Sequence, residues 1–339
     1  MIRLSSIGDI VNALPAVAAL GQTFPAAEIT WAVEARYACL LGGNPYVRHT
    51  IQLDTLGWRK RLGSPRTWGE IAGGVRALRH TRYDTVVDFQ ALVKTGLMTW
   101  LCRSGRRVGF AAYIHREKGA GLFYTETVAP PPAGHVIGEY MALVKRLGAE
   151  TGGTWQFPLP SPPSARDKIE AELAVAGVRE FAIVNPGGGW DAKRWPPANY
   201  AVLIARLQDE VPGDVVLTGS PSEESMIREI IRGSGRARAI YLPTTILQFI
   251  ALARKAKLFI GGDTGPMHLA AALGVPIVAI YGPTDPARNG PFSAVDIALT
   301  NRSAVNHTRR GPGHKFLEGV AVEDVLAAVH ERLARERER

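Results

Sequence analysis

An aspartate that follows the first short apolar segment is the first candidate for chemistry in this chain. The sequence opens with MIRL, and the turn SSIG leads directly to Asp9. Gly8 permits a tight turn, so a strand over MIRL would place Asp9 at the end of a sheet, where its carboxylate could take part in catalysis. Alternatively, Asp9 is the N-cap of a helix predicted over 9–24, and the local sequence does not decide between these two roles.

A glycine-rich turn after the apolar run FAIVN is typical of a phosphate site. Gly187, Gly188 and Gly189 let the backbone approach a ligand closely and expose N–H groups. Lys193 adds a cation, and the following WPP sequence indicates the start of a helix. The alternative is a plain turn with a surface lysine. The segment matches neither GxxxxGK[ST] nor GxGxxG, which disfavours a P-loop or a dinucleotide site.

A second polar turn follows the apolar run KLFIGG. Asp263, Thr264 and Gly265 would lie at the carboxyl end of a strand, where ligands bind in open α/β sheets. The N–H groups of Thr264 and Gly265 could hold a diphosphate, and Asp263 could accept hydrogen bonds from sugar hydroxyl groups. Asp263 could also be the N-cap of the next helix. His268, on the first turn, could be a core residue or a donor to a phosphate.

Glu223 has two interpretations. Ser220 to Glu223 has the spacing of a capping box, with Pro221 at the first helical position. In the other interpretation, Glu223 or Glu224 holds the ribose of a nucleotide.

Basic residues gather in the half of the chain that lacks the glycine turn. Solvated surface charge is the usual explanation for such runs. Their placement nevertheless suggests that the first half binds an anionic substrate. The residues concerned are Arg59, Lys60, Arg61, Lys94, Arg103, Arg106, Arg107, Arg116 and Lys118.

Strand and helix patterns alternate through both halves and must position these residues. The apolar runs of the second half lack polar alternation, which is typical of strands buried on both faces of a parallel sheet. The alternation predicts an α/β fold with two doubly wound domains. Strands are predicted at 29–33, 49–54, 84–89, 107–110, 123–128, 181–185, 214–219, 257–262 and 276–282.

Composition places the domain boundaries. We predict an N-terminal domain over 1–152, a linker rich in Pro, Gly and Ser over 153–178, and a C-terminal domain over 179–325. An amphipathic helix over 321–339 is expected to pack back on the N-terminal domain. Because MIRL is short for a central strand, we also expect the natural start to lie upstream.

Charge and composition limit the partners. A net charge of +9 over 339 residues favours an anionic partner, such as nucleic acid, a membrane surface or a phosphorylated substrate. No nucleic-acid-binding signature is found, which disfavours nucleic acid. No apolar run approaches the roughly 20 residues of a membrane span. The N-terminus has no signal-peptide core, so we expect a cytoplasmic protein that can contact a membrane surface. Cys39 and Cys102 lie far apart in the sequence and are expected to be reduced thiols.

Several ordered motifs together resemble glycosyltransferase family 9, the ADP-heptose:lipopolysaccharide heptosyltransferases, and within it the branch that adds the first heptose. They cover nearly the whole chain, and they are RLSSIGDIVNALPAV, VVDFQALVKTGLMTWL, REKGAGLFY, HVIGEY, PGGGWDAKRWPPANY and GGDTGPMHLAAALG with YGPTDP. The resemblance implies a GT-B fold, in which two Rossmann-like doubly wound domains face each other across a cleft. The donor would bind in the C-terminal half and the acceptor in the N-terminal half.

The resemblance also implies the reaction, an inverting transfer from ADP-heptose to a Kdo-bearing lipid A acceptor without a metal or another cofactor. By motif position, Asp9 would be the general base and Lys193 would hold the donor phosphate. Asp263 would hold the heptose, with Thr264 and Gly265 on the diphosphate. The rest of the implied donor site is Gly187, Gly188, Gly189, Glu223 and His268, and the implied acceptor site is Ser6, Arg59, Lys60, Lys94 and Arg116.

Three alternatives stay open at this point. The chain could be another member of the same family, with a second-heptose or a different nucleotide-sugar specificity. It could be a GT-B-fold sugar-nucleotide epimerase, which would need more acid/base residues than Asp9 alone. It could be a two-lobed sugar-binding protein without catalysis, although such proteins are usually secreted and no signal peptide is found.

Overall fold

A computed structural model of the chain describes residues 1–111, 117–188, 194–211, 213–236, 238–300, 317 and 319–338. The chain divides into two compact units, Met1–Pro160 and Ser161–Arg339. The division falls inside the predicted linker. Within the residues described, no helix is both long enough and apolar enough to cross a membrane.

The first unit contains a parallel sheet with helices between its strands. Its strands are β1 (Ile29–Glu34), β2 (Val47–Leu53), β3 (Thr85–Val87), β4 (Arg106–Phe110) and β5 (Glu126–Val128). Its α-helices are α1 (Ile7–Thr23), α2 (Thr55–Lys60), α3 (Pro65–Arg79), α4 (Val93–Leu101) and α5 (Val136–Arg146).

The N-terminal segment, residues 1–4, completes this sheet at its centre. Ile2 forms parallel bridges to Ala32 of β1 and to Asp88, which directly follows β3. The N–H of Ile2 donates to Val87 O at 2.8 Å. The sheet therefore runs β2, β1, N-terminal segment, β3, β4, β5, with every pair parallel.

The second unit repeats this order. Its strands are β6 (Phe181–Asn185), β7 (Asp214–Leu217), β8 (Ala239–Tyr241), β9 (Leu258–Gly262), β10 (Ile277–Tyr281) and β11 (Ile297–Thr300). Its α-helices are α6 (Pro163–Val175), α7 (Pro197–Glu210), α8 (Glu224–Ser234), α9 (Ile246–Ala253), α10 (Gly265–Ala272), α11 (Pro286–Asn289) and α12 (Val322–Arg337). The parallel sheet runs β8, β7, β6, β9, β10, β11.

In each unit the strand order reverses next to the first strand of that unit. The reversal lies between the N-terminal segment and β3 in the first unit, and between β6 and β9 in the second. Ligands of open α/β sheets bind outside the carboxyl ends of the strands at such a point. The turns that follow these four segments are therefore the places to look for a site.

The predicted strands are confirmed to within a few residues, and two further strands were missed. β8 and β11 lie at the two edges of the second sheet and have only three and four residues, which is too short for a pattern to identify them. Helix α6 occupies much of the predicted linker 153–178. Ala165, Ile169 and Leu173 are spaced by four residues and are buried, so this segment gains a packed helical face.

The C-terminal helix α12 packs against α7, β10 and β11 of the second unit. Its Arg332 is buried and pairs with the buried carboxylate of Asp296 at 2.8 Å. The same Asp296 oxygen accepts the N–H of Ile277, at the start of β10, at 3.0 Å. This ion pair therefore links α12 to the sheet of its own unit. The predicted contact of 321–339 with the N-terminal domain stays a prediction.

Replacing Arg332 by methionine should destabilise the chain strongly. Burial already raises the pKa of the Asp296 carboxyl, and the variant would leave this group in the core without its cation. The expected loss in free energy of unfolding is about 3–5 kcal/mol. The matched control is Glu336→Gln, which removes the other partner of Arg332, a carboxylate that is 47% exposed, and should cost less than about 1 kcal/mol. Urea denaturation measures both, and equal losses would contradict this account.

Candidate functional site

Asp9 lies on the first turn of α1, directly after the central N-terminal segment. α1 begins at Ile7 with Ser6 as its N-cap, so the prediction that Asp9 is the N-cap of a helix over 9–24 was wrong. The Asp9 carboxylate instead accepts hydrogen bonds from the N–H and the hydroxyl group of Ser6, both at 2.9 Å. Ser6 thereby fixes one oxygen of Asp9, and the Ser6 residue itself is exposed.

Arg3 fixes the other oxygen of Asp9. Its guanidinium forms an ion pair with Oδ1 of Asp9, and the Arg3 side chain is only 4% exposed, against 35% for Asp9. Arg3 also donates to Phe89 O at 2.7 Å and lies 5.5 Å from the ring centroid of Tyr140. A buried guanidinium is costly unless it is paired, so the core holds the ion pair in place while Asp9 stays accessible.

These contacts decide the charge of Asp9. Burial by itself would raise the pKa of Asp9, but the positive charge of Arg3 and the hydrogen bonds from Ser6 outweigh it and lower the pKa to about 2. The carboxylate is therefore ionised at neutral pH. Its oxygens can accept a hydrogen bond or a proton from a ligand, although its affinity for a proton is low.

Asp88, which sequence reasoning missed, occupies the adjacent strand end. It is fully buried and accepts hydrogen bonds from Gln90 N at 2.8 Å, from Ala91 N at 3.1 Å and from the Tyr124 hydroxyl at 2.7 Å. Ala91 has φ of 52°, a region that favours glycine. The Gln90 side chain in turn accepts the N–H of Leu4 at 2.9 Å. Asp88 therefore holds the turn after β3 against the end of the N-terminal segment.

Of the predicted acceptor residues, Ser6 lies at the start of α1, and Arg59, Lys60 and Lys94 lie on α2 and α4. The Lys94 ammonium, on the first turn of α4, donates to the Thr55 hydroxyl at 3.3 Å, and Thr55 donates to the buried carboxylate of Glu34. Arg59 and Lys60 are exposed on the last turn of α2. Hydrogen bonds therefore connect Ser6 to Asp9, and Lys94 to Thr55 at the start of α2. Arg116 lies outside the described residues.

In the second unit, the glycine turn and the Asp263 turn leave adjacent strands. Asn185, the last residue of β6, pairs in register with Gly261 of β9. A Cβ atom on Gly261 would lie 2.8 Å from Asn185 O, so the close approach of the two strand ends requires glycine. Gly187 and Gly188 follow β6 and are buried. Gly189 and Lys193, both predicted to bind the donor phosphate, lie outside the described residues.

Glu223 joins the glycine turn to the turn after β7. Its carboxylate accepts the Ser220 N–H at 2.8 Å and hydroxyl at 2.7 Å, so this half of the predicted capping box is formed. The other carboxylate oxygen accepts the Gly188 N–H at 3.2 Å. The sequence predicts that this N–H meets the donor phosphate; here it is paired with Glu223, and its role in donor binding stays a prediction. A Cβ on Gly187 would lie 2.5 Å from the Glu223 carboxylate, so a larger residue there would displace this side chain.

The Asp263 turn leads into α10. The N-cap of α10 is Thr264 and the helix begins at Gly265, so Asp263 is not the N-cap. Asp263 lies 3.3 Å from Nε2 of His268, and both side chains are almost buried. His268 is thus a neighbour of Asp263 within the turn. The first N–H groups of a helix have no partner within the helix, and those of α10 lie directly after β9, at the same edge of the sheet.

The two strand-reversal points suit different ligands. In the first unit, an ionised and partly exposed carboxylate can interact with a hydroxyl group of a ligand. In the second unit, the start of α10 offers N–H groups and the positive end of a helix dipole, which attract an anion such as a phosphate. Asp263, directly before α10, and Glu223, beside the glycine turn, carry carboxylates that can accept hydrogen bonds from ligand hydroxyl groups.

Comparison with known proteins identifies the family of this chain. The sequence model of glycosyltransferase family 9 (heptosyltransferase) matches residues 74–313. Lipopolysaccharide heptosyltransferase 1 of Salmonella typhimurium is 28% identical over 303 residues, which make up 88% of this chain and 92% of that protein.

Solved structures extend the similarity to the fold. The E. coli heptosyltransferase WaaC with ADP is 26% identical with a TM-score of 0.81, and the match covers 98% of both chains. WaaC with ADP-2-deoxy-2-fluoro heptose gives a TM-score of 0.78 at 26% identity, covering 97% of this chain and 98% of that one. The predicted α/β fold of the GT-B type, with parallel sheets in both halves, is confirmed. With its motifs, its strand order and its family match in agreement, this chain belongs to glycosyltransferase family 9 and is a glycosyltransferase.

Proposed function

We propose that this glycosyltransferase transfers heptose from ADP-heptose to the Kdo region of a lipid A-type acceptor, as in the synthesis of the lipopolysaccharide inner core. The relatives support this proposal, since one is named a lipopolysaccharide heptosyltransferase and another was solved with ADP-2-deoxy-2-fluoro heptose. In this chain the proposal rests on Asp9, an ionised carboxylate that a buried arginine holds at the carboxyl ends of the central strands.

Asp9 would act as the general base of an inverting displacement. An acceptor hydroxyl oxygen attacks the anomeric carbon of the heptose, its proton passes to the Asp9 carboxylate, and the bond to ADP breaks with the electron pair leaving on the diphosphate. A carboxylate with a pKa of about 2 takes the proton only as the new C–O bond forms and the hydroxyl becomes acidic. Positioning by Arg3 and Ser6 must therefore supply much of the rate.

The second unit would hold the donor. Thr264 and Gly265 would bind the diphosphate through N–H groups at the start of α10, with His268 and Lys193 as further donors. Asp263 would accept hydrogen bonds from the heptose. Glu223 would meet the ribose hydroxyl groups, and the ribose would compete with the Gly188 N–H for its carboxylate. Gly187 and Gly189 would let the backbone approach the nucleotide.

The first unit would hold the acceptor. Ser6 lies beside the base, and Lys94, Arg59 and Lys60 present cations from α4 and α2 for phosphate or Kdo carboxylate groups. Arg116 would contribute from its own segment. We further propose that the reaction needs no metal and takes place at the cytoplasmic face of the inner membrane.

The donor preference tests the proposed substrate. Purified protein with a Kdo-bearing acceptor should give a mass-shifted product with ADP-heptose and little or none with UDP-GlcNAc or GDP-mannose. UDP-GlcNAc and GDP-mannose share the ribose and the diphosphate, so the expected preference rests on the similarity to a heptosyltransferase solved with ADP-2-deoxy-2-fluoro heptose. Faster transfer from UDP-GlcNAc or GDP-mannose than from ADP-heptose would contradict the proposal. Epimerisation of the donor without transfer would contradict it too.

Replacing Asp9 by asparagine tests the base. The variant should bind ADP-heptose normally but lose turnover by about 10²–10⁴-fold, because an amide cannot accept the proton. The matched control is Asp324→Asn. Asp324 accepts the N–H of Ala321, the N-cap of α12, at 3.2 Å, just as Asp9 accepts the N–H of Ser6, the N-cap of α1. The control should keep full turnover. An Asp9 variant that stays within about tenfold of the unchanged enzyme would place the base elsewhere.

A further inference from the structure

Helix α4 buries small polar residues and exposes large apolar ones. Thr95 and Thr99 are fully buried, whereas Val93, Leu97 and Trp100 are 43%, 42% and 59% exposed. These three residues are spaced by four and three positions, so they lie on one side of the helix, which we call the α4 face. An apolar stripe normally faces the core, and one that faces outward needs a covering partner.

Close packing on the inner side of α4 fixes this orientation. A Cβ atom on Gly96 would lie 2.8 Å from the Phe123 ring and 3.0 Å from Ala120 O. The 3₁₀ segment Lys118–Phe123 therefore lies too near for the helix to rotate its large side chains inward. The outward direction of the α4 face is built into the fold.

The neighbourhood of α4 concentrates exposed apolar side chains. α3 packs against α4 and α2 against α3, and a hydrogen bond joins Lys94 to Thr55 at the start of α2. Among the described residues, seven of the ten exposed large apolar side chains lie between positions 56 and 122: Leu56, Leu62, Trp68, Val93, Leu97, Trp100 and Leu122.

This neighbourhood is also basic. Residues 54–84, which span α2, α3 and their connections, contain seven Arg or Lys residues and three acids, Asp54, Glu70 and Asp84. Asp54 and Glu70 both pair with Arg61, so the other cations outnumber the remaining acid. α4 itself carries Lys94 and no acidic residue. Apolar side chains that include tryptophan, flanked by cations, are typical of protein surfaces that bind an anionic bilayer.

We propose that the α4 face, flanked by the basic helices α2 and α3, docks on an anionic phospholipid surface, with Leu97 and Trp100 entering the headgroup region. The inference rests on the proposed function in that a lipid-linked acceptor would be presented at such a surface. A second copy of this chain is a poorer partner, because a two-fold contact would bring the two basic flanks together. An anionic bilayer instead complements both the apolar stripe and the charge.

Vesicle co-sedimentation of the full chain tests this docking surface. The unchanged protein should bind vesicles of phosphatidylcholine with phosphatidylglycerol, bind phosphatidylcholine vesicles much less, and lose binding as salt rises. The double variant Leu97→Ser with Trp100→Ser should bind at least about tenfold more weakly, because it loses the inserting side chains. The matched control is Val175→Ser with Val202→Ser, which changes two exposed apolar residues of the second unit and should bind as the unchanged protein does.

The outcomes separate this inference from the proposed function. The vesicles contain neither donor nor acceptor, so binding through Leu97 and Trp100 would support the surface even if ADP-heptose proved not to be the donor. Absence of binding to anionic vesicles, equal binding by the double variant, or equal binding to neutral vesicles would overturn it. A dimer in sedimentation velocity that the double variant converts to a monomer would overturn it too. Unchanged thermal unfolding midpoints exclude misfolding as the cause.

Discussion

The ion pair between Arg3 and Asp9 is the interaction on which the site of the first unit depends. It joins Arg3, in the N-terminal segment at the centre of the sheet, to Asp9 on the first turn of α1. The guanidinium is buried, so it needs the carboxylate as a partner, and the carboxylate is thereby kept ionised and fixed at the edge of the sheet. Ser6 binds the second oxygen, which leaves the exposed part of the Asp9 carboxylate as the surface for a ligand.

The same strand order in both units explains why polar groups gather where they do. Each order reverses beside the first strand, and the turns on either side of the reversal carry Asp9 and Asp88 in the first unit, and Gly188 and Asp263 in the second. The two turns of the second unit come close because Gly261 carries no Cβ that would meet the adjacent backbone. The shared architecture thus places an ionised carboxylate at one edge and the start of α10, with the positive end of its helix dipole, at the other.

Much of this could be predicted from the sequence, since long apolar runs identified the central strands and the turns that follow them. Arg3 was missed because a single charge in a short segment attracts little notice, although a cation in a central strand always requires a partner. The bond from Gly188 to Glu223 was missed because it joins two turns 35 residues apart, and local patterns carry no information about such a pairing. Spacing alone likewise could not decide that Thr264, and not Asp263, caps α10.

The pH dependence of kcat/KM with ADP-heptose, measured for the unchanged enzyme, Arg3→Lys and Arg3→Met, tests the role of this ion pair most directly. Against the effect of burial, Arg3 and the hydrogen bonds from Ser6 lower the pKa of Asp9 to about 2, so protonation of the base should not limit the unchanged enzyme near or above pH 4. Without the cation the pKa of Asp9 should rise. As the pH falls, the Arg3→Met variant should therefore lose activity at a higher pH than the unchanged enzyme does. Arg3→Lys keeps the cation and should follow the unchanged enzyme. Identical acid limbs in all three proteins would contradict the account.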